Sequence, residues 1–405
     1  MLTHLRFEFK TAAWRTYLAL AVALLGLLAF TIVRDQIPRN GFIFYTAGDR
    51  ELPFLTSNRK AAMTKMVVAE AATEKARLQK EERTLTAAPQ ARRLMTPLVA
   101  ALRRGDYAAA NRLTLAHLTA DPELTNQLTY LQYFTPDVGA LLPKDLRALL
   151  DAWLRLAPDR LLQVDLYTSA LNLVTRSLNL TDVHERRAPT LLIYGLLLVA
   201  IAATTTAFFT DERRRPAMLD AVAPLAPNTK ALLRALVTWL IINAGLLAAV
   251  GLVVSVLALA PAHDLGLWRF PIQIPHKNLA QIIPLWALWL RYLGLFNLWF
   301  LLFISLAHLV RQITKDASVA MFVLALVPFA GYFHLLDHLP GHLVDVLPSQ
   351  YVNLPALVNH QLSYVHTAGW FVALVFAGWI IGLWLAATAL AAVKRRVRVP
   401  LVTND

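Results

Sequence analysis

Cysteine is absent from all 405 residues, which excludes disulfides, thiolate metal centres and cysteine nucleophiles together. Any folded part outside a membrane must then be held by packing alone, as is ordinary for a bacterial protein and less so for a eukaryotic ectodomain. Charge is also scarce, at 16% of residues against 57% hydrophobic. Acid is the shorter side, with 26 Asp and Glu against 39 Lys and Arg, leaving a formal net charge of +13. The excess does not form a nucleic-acid footprint. Much of it sits at the edges of apolar stretches, as in Arg213-Arg214-Arg215 and Lys394-Arg395-Arg396-Val397-Arg398, the pattern of cytoplasmic flanks beside anionic lipid. Catalytic signatures are missing too: no His-Glu-x-x-His, Gly-x-Ser-x-Gly or Gly-x-x-x-x-Gly-Lys-Ser/Thr occurs. Without the last, the chain cannot hydrolyse ATP by a phosphate-binding loop.

What fills the chain instead is hydrophobic length. Six apolar stretches, at 17–33, 191–209, 235–260, 282–307, 319–336 and 367–393, each approach or exceed the ~20 helical residues that cross a ~30 Å hydrocarbon core. The fifth is the shortest. The expectation is an all-α polytopic membrane protein with six transmembrane helices. Residues 1–33 would hold an N-terminal helix and the first span, and 34–190 a large extracytoplasmic helical domain. Residues 191–405 would form the rest of the membrane domain. A basic front (Arg6, Lys10, Arg15) precedes the first stretch, but Thr31-Ile32-Val33-Arg34-Asp35 offers no small-x-small cleavage site. A retained anchor is the better reading.

Short-loop charges orient the chain. Arg6, Lys10, Arg15, Arg213, Arg214, Arg215, Lys230, Arg311, Lys315, Lys394, Arg395, Arg396 and Arg398 fall on one side, while the opposite loops at 261–281 and 337–366 carry Arg269 and Lys277. The positive-inside rule then puts both termini in the cytoplasm of a cell membrane. Trp268, Trp286 and Trp370 fall near the expected outer surface and Trp14 near the inner one, as interfacial aromatics do.

The 34–190 segment reads as helical. Asn58 to Leu85 lacks Gly and Pro, Asp106 offers an N-cap, and Asp121-Pro122 places Pro at a first helical position. Lys144 to Leu156 and Asp159 to Leu178 show amphipathic stripes. Strand-like alternation is confined to Phe42–Tyr45. The stretch from Arg104 to Pro122 has a tetratricopeptide flavour, but no repeat of constant length supports it.

Polar groups in apolar surroundings are the site candidates. Arg291, Asn297 and Asn243 fall in or near spans, where a guanidinium costs about 2.5–3.5 kcal/mol unless it faces protein or water. They are candidates for a translocation path, with snorkelling or pairing to Asp337 the structural alternative for Arg291. His334, His338 and His342, with Asp337 and Asp345, loosely echo an inverted zinc-protease motif with Asp for Glu. Pro340 and Gly341 bend any helix through them. Interfacial or substrate-lining roles fit better than a metal centre, and an intramembrane metalloprotease would lack a general base.

Taken in order, these parts resemble the permease subunits of type-2 ATP-binding-cassette exporters over the membrane portion of the chain. Leu5-Arg6-Phe7-Glu8-Phe9-Lys10 with Arg15 is similar to that family's amphipathic elbow helix. The 211–230 loop, from Asp211-Glu212-Arg213-Arg214-Arg215 to Pro227-Asn228-Thr229-Lys230, is similar to its acidic-then-basic coupling turn. Arg214-Arg215-Pro216 stands where the family has a Gly. Leu347-Pro348-Ser349-Gln350-Tyr351-Val352-Asn353-Leu354 looks like its outer re-entrant segment, here within 337–366, with Pro348, Tyr351 and Asn353 as the matching positions. The resemblance implies an exporter subunit that is not itself an enzyme. A separate ATPase chain would bind ATP and Mg, so this chain needs no cofactor. A second permease chain, identical or related, would complete the path, with membrane lipid around it and no nucleic acid. Met218, Leu219, Val222 and Leu225 would dock on the ATPase, positions 218, 222 and 225 sharing one helical face. A large domain between the first two spans is frequent in members handling peptides, antimicrobial compounds or lipid-linked molecules. The competing class is a non-transport sensor or anchor, for which a single span would suffice.

Overall fold

The computed structural model describes residues 2–39, 59–80, 89–120, 143–178, 191–210, 226–259, 264–274, 281–336, 339–360, 362 and 366–398. In chain order the helices are α1 (Leu2–Thr11), α2 (Trp14–Arg39), α3 (Arg59–Lys80), α4 (Pro89–Arg104), α5 (Tyr107–Ala120), α6 (Pro143–Leu156), α7 (Leu162–Thr168), α8 (Ala170–Leu178) and α9 (Leu191–Thr205). A π-helical turn, Thr206–Thr210, prolongs α9. Then come α10 (Pro227–Leu259), a hairpin of β1 (Pro271–Ile274) and β2 (Gln281–Pro284), α11 (Leu285–Ile313), α12 (Ala317–Phe329), α13 (Gly341–Val344), a 3-10 turn at Pro348–Tyr351, α14 (Leu354–Val358) and α15 (Gly369–Arg398). The antiparallel hairpin pairs Pro271 with Pro284 and Ile274 with Gln281. Apart from it and one isolated bridge, the described residues are helical or irregular.

Among the described residues five helices are long and apolar enough to cross a membrane: Trp14–Val33, Leu191–Thr210, Asn228–Leu259, Leu285–Ile313 and Gly369–Lys394. The fifth apolar stretch of the sequence differs from the expected span. Its helix, α12, has 13 residues, about 20 Å at the α-helical rise and short of a ~30 Å core. Pro328 lies in its last turn, and the chain then folds through turns over 330–336. There the Leu335 amide donates to the Ala330 carbonyl at 3.0 Å and the His334 amide to Gly331 at 3.2 Å. His334 takes a left-handed φ of 56°. This is a helix-terminating Schellman pair, with a histidine where glycine is usual. The stretch is apolar as expected but its helix is shorter, because hydropathy does not register a stop made by backbone geometry.

The chain divides into two compact units. One comprises Met1–Leu28, Asp182–Gly251 and Arg291–Asp405; the other comprises Ala29–Thr181 and Leu252–Leu290. In the second, α3, α4, α5 and α6 pack one on the next, and β1 rests on α6. The stripe read over Lys144 to Leu156 is a packed face, with Leu146, Leu150 and Trp153 of α6 buried, and α4 packs through Leu94, Met95, Leu98, Val99 and Leu102, also buried. Between α4 and α5, Gly105 adopts φ +74° while the Asp106 carboxylate caps the Ala109 amide at 2.9 Å. Stop and start signals are thus adjacent. Residues 159–178, expected as one stripe, break at Ser169 into α7 and α8.

That break admits the segment around residue 264. Ala170 and Leu171 amides donate to the Asp264 and Leu265 carbonyls at 2.7 and 3.1 Å. Gly266 has φ +86°, and a Cβ there would meet Ser169 Cβ and Oγ at 2.7 Å, so only glycine fits. Ions close the same seam. Lys60 Nζ lies 2.6 Å from Asp264 Oδ2 and 3.3 Å from Asp165 Oδ1; Arg160 lies 2.9 Å from Asp165 Oδ2 and 3.6 Å from Asp264 Oδ2. The Asp165 side chain is only 2% exposed. Burial pushes its carboxyl above the ordinary 3.8 and the Asp264 charge adds to this, while Lys60 and Arg160 pull the other way.

A native carboxyl with a raised pKa favours folding where it is protonated and loses that advantage as pH rises through its folded value. Local stability around α7 and α8 should therefore fall as pH rises from 3.8 through the raised folded value. Asp165→Asn should flatten that limb. The measurement is hydrogen exchange of 162–178 against pH; an unchanged slope in the variant would remove Asp165 as the cause.

Candidate functional site

The polar groups of the first unit fall into three constellations. The first joins two spans. Asn243 on α10 and Asn297 on α11 exchange amide hydrogen bonds, Nδ2 of Asn243 to Oδ1 of Asn297 at 2.9 Å and the reverse at 3.0 Å. The second proton of each Nδ2 goes to its own helix, Asn243 to Trp239 O at 2.9 Å and Asn297 to Leu293 O at 2.8 Å. Trp239 Nε1 adds a 2.6 Å bond to Asn297 Oδ1. Every amide donor and acceptor is thus used within the cluster, which is the arrangement hydrocarbon surroundings demand. Its chemistry is to clamp α10 to α11. Arg291 is not part of it. Six residues before Asn297 on the same helix, it points roughly 120° away around the axis, is half-buried, and makes no ion pair with a described residue.

The second constellation surrounds the N-terminal helix. Glu8, the one acid before Asp35, is buried, and its Oε2 lies 3.9 Å from Arg234 Nε with both side chains less than a tenth exposed. It is also within electrostatic reach of Arg311. The Arg234 guanidinium stands 6.0 Å from the ring centre of Phe208 in the π-helical turn, a cation–π distance. His308 stacks on Trp384 at 4.5 Å and is buried, and neither ring nitrogen hydrogen-bonds a described residue. Helix α1 thus turns its carboxylate inward. Its Phe9 is exposed and meets exposed Trp14 edge-on at 4.7 Å; Trp14 Nε1 donates to Phe9 O at 2.9 Å. A carboxylate in so basic a flank was the signal available in the sequence. Arg234 and His308 each lie one residue outside an expected span, and the sequence reading singled out neither.

The third is the segment before the last helix. Tyr351 is fully buried; its hydroxyl donates to Asp345 O at 2.7 Å, and its carbonyl accepts from Trp299 Nε1 at 3.3 Å. Burial, with the Asp345 charge adding, pushes the Tyr351 phenol up to about 12, so the hydroxyl remains a donor. Asn353 Oδ1 caps α14 through the Ala356 amide at 3.2 Å, and Pro348 opens the 3-10 turn. Pro348, Tyr351 and Asn353 therefore act together as a folded, buried insert. His360 ends α14 at φ 52°.

Met218, Leu219, Val222 and Leu225 lie outside the described residues, as do Phe42–Tyr45, Asp121-Pro122, Asp337 and His338 and the side chain of His342. No group of three His, Asp or Glu suited to a metal occurs among the described residues.

The Asn clamp generates a coupling test. Asn297→Leu should cost about 1–2 kcal/mol in lipid, and Asn243→Leu with Asn297→Leu together should cost little more than the single change. Reversible unfolding in bicelles measures both. Strictly additive losses would show that the two amides do not act as a pair.

No protein-family model, no curated protein and no solved structure matches this chain.

Proposed function

We propose that this chain is the membrane-spanning permease subunit of an ATP-binding-cassette exporter. In this reading it forms part of a translocation path and takes its energy from a separate ATPase subunit that binds ATP and Mg. The observation carrying the reading is the folded segment Pro348–Val358, buried from Tyr351 to Val358 and lying shortly before the final span in the chain. A capped, non-spanning helical insert has no use in a plain anchor. It suits a protein that must close one end of a path. Support also comes from α1, whose buried Glu8 fastens a short helix ahead of the first span, and from the number of long apolar helices. A sensor would need one.

The topology in this proposal follows from the charge asymmetry of the loops, and the partner and substrate assignments follow from the resemblance to exporter permeases. Both termini are cytoplasmic, the 34–190 region is extracytoplasmic, and α12 with its following turns counts as a sixth, short crossing. The 211–230 loop, with Met218, Leu219, Val222 and Leu225, is the contact for the ATPase. A second permease chain completes the path, and peptides, antimicrobial compounds or lipid-linked molecules are the substrate class.

Two measurements check this. Because native cysteine is absent, single cysteines label without background. Arg112→Cys and His366→Cys, both at exposed positions, should react with an impermeant maleimide on intact cells, and Thr403→Cys should not. Labelling at 403 would reverse or refute the topology. Second, the purified chain should show no ATPase activity and should bring an ATP-binding-cassette ATPase with it from its native membrane. Leu219→Asp with Val222→Asp should abolish that association, since such interfaces concentrate their energy in a few buried side chains. ATP hydrolysis by the isolated chain would overturn the assignment.

A further inference from the structure

Between α6 and the β-hairpin lies an open cleft of about 290 Å³, lined by Ala152, Arg155, Leu156, Arg269, Ile282 and Ile283 and by the paired Pro271 and Pro284. Its floor is apolar and its two charges have one sign. Arg269 is exposed and makes no ion pair with a described residue. Arg155 is 78% exposed and pairs with Asp151 one turn away at 2.6 Å, a surface pair that holds it weakly.

The cleft's place in the chain says what it meets. Pro284, one of its walls, immediately precedes Leu285, the first residue of a helix long and apolar enough to span. The Leu285 amide donates to Phe270 O at 2.9 Å and the Trp286 amide to Trp268 O at 3.1 Å, so the strip carrying Arg269 is fastened to the first turn of that helix. Trp268 and Trp286 are 48% and 47% exposed. Trp289 meets Trp268 edge-on at 5.4 Å and bonds Thr175 at 2.7 Å. Tryptophans grouped where a span begins mark the headgroup level of a bilayer. A ligand there has an anionic part for the arginines and an apolar part for Ile282, Ile283 and the prolines. The cleft is at the small end of ligand pockets, with room for a headgroup and no room for two acyl chains.

We infer that this cleft binds the phosphate headgroup of an anionic phospholipid, with Arg269 and Arg155 holding the phosphate and the Ile282–Pro284 edge meeting the start of the acyl region. The inference rests on Leu285–Ile313 crossing the membrane and does not depend on transport. It stands if the exporter reading fails.

The test uses the full chain in nanodiscs of phosphatidylcholine alone or with phosphatidylglycerol. Native mass spectrometry reads the lipids retained. The wild type should keep one anionic lipid more than Arg155→Gln with Arg269→Gln, whose affinity for it should drop at least tenfold, the loss of about one charge-assisted hydrogen bond. Glutamine keeps most of the apolar stem, so the readout is charge. Equal retention by wild type and variant, or equal retention of the zwitterionic lipid, overturns the proposal. Displacement by excess inorganic phosphate would show a free-anion site instead and also overturns it. A wild-type measurement covers a variant that fails to fold: backbone hydrogen exchange at 281–286 should slow in discs containing phosphatidylglycerol, and identical exchange in both discs refutes the site.

Discussion

Polar atoms withdrawn from water must find partners inside the chain, and in hydrocarbon there is no second option. Much of the membrane unit can be understood from that requirement. Thr204, Thr206 and Thr238 return their hydroxyls to the carbonyl four residues back, at 2.7–2.8 Å. Asn243 and Asn297 satisfy one another and their own helices. The Pro348–Val358 insert, which cannot use an unbroken helical ladder, is completed by the Tyr351 hydroxyl, the Asn353 cap and the Trp299 indole. Each device solves the same problem on a different scale: a residue, a helix pair, a folded segment. His308 stands apart from them. It is as deeply buried, yet aromatic stacking on Trp384 is its principal described contact, a neutral way of placing an imidazole among rings.

The second unit uses charge differently. Lys60, Arg160, Asp165 and Asp264 bring together α3, the turn before α7, α7 itself and the 264 segment. Desolvation works against Asp165 and two cations partly offset it. A buried pair of this kind is weak evidence for net stability but strong evidence for a defined register, because removing one partner leaves the others uncompensated. Gly266 reinforces that register sterically at Ser169. The segment so fastened is continuous with α10 on one side and α11 on the other. A unit that might have been a simple insertion after the first span is therefore built from two separated pieces of chain.

How far the sequence alone revealed this depends on the range of the interaction. Apolar length identified five long helices because hydropathy integrates over about 20 residues and tolerates local error. It overextended the stretch at 319–336, where the stop is a left-handed histidine, a backbone event that side-chain polarity does not report. The stripe of α6 and the Asp106 cap were legible because each depends on neighbours within a turn. The hairpin at 271–284 was not: four-residue strands with two prolines carry no alternation to read. Nor was the seam at Asp165 and Asp264, whose partners are some hundred residues apart. Of the site residues, Asn243 and Asn297 could be singled out as costly but not as a pair. Glu8 was noticed as part of an amphipathic helix, though its inward direction reverses the expected pattern.

That reversal bears on what α1 is for. An amphipathic helix held to a bilayer by its apolar face can slide or lift with modest loss, since each exposed aromatic contributes independently. A helix whose only acid is buried against Arg234, within reach of Arg311, is fixed at one point and in one rotation. Lifting it would part the buried Glu8 carboxylate from the buried Arg234 guanidinium, and breaking a buried pair is costly. The aromatic side, Phe9 with Trp14, stays free for the lipid surface. Helix α1 is thus held by charge on one side and presents aromatics on the other. Its buried pair connects to α10 directly and, through Phe208 beside Arg234, to the π-helical turn that ends α9. Single π-helical turns occur frequently at functional sites, and here one sits beside the Glu8–Arg234 pair that holds the N-terminal helix.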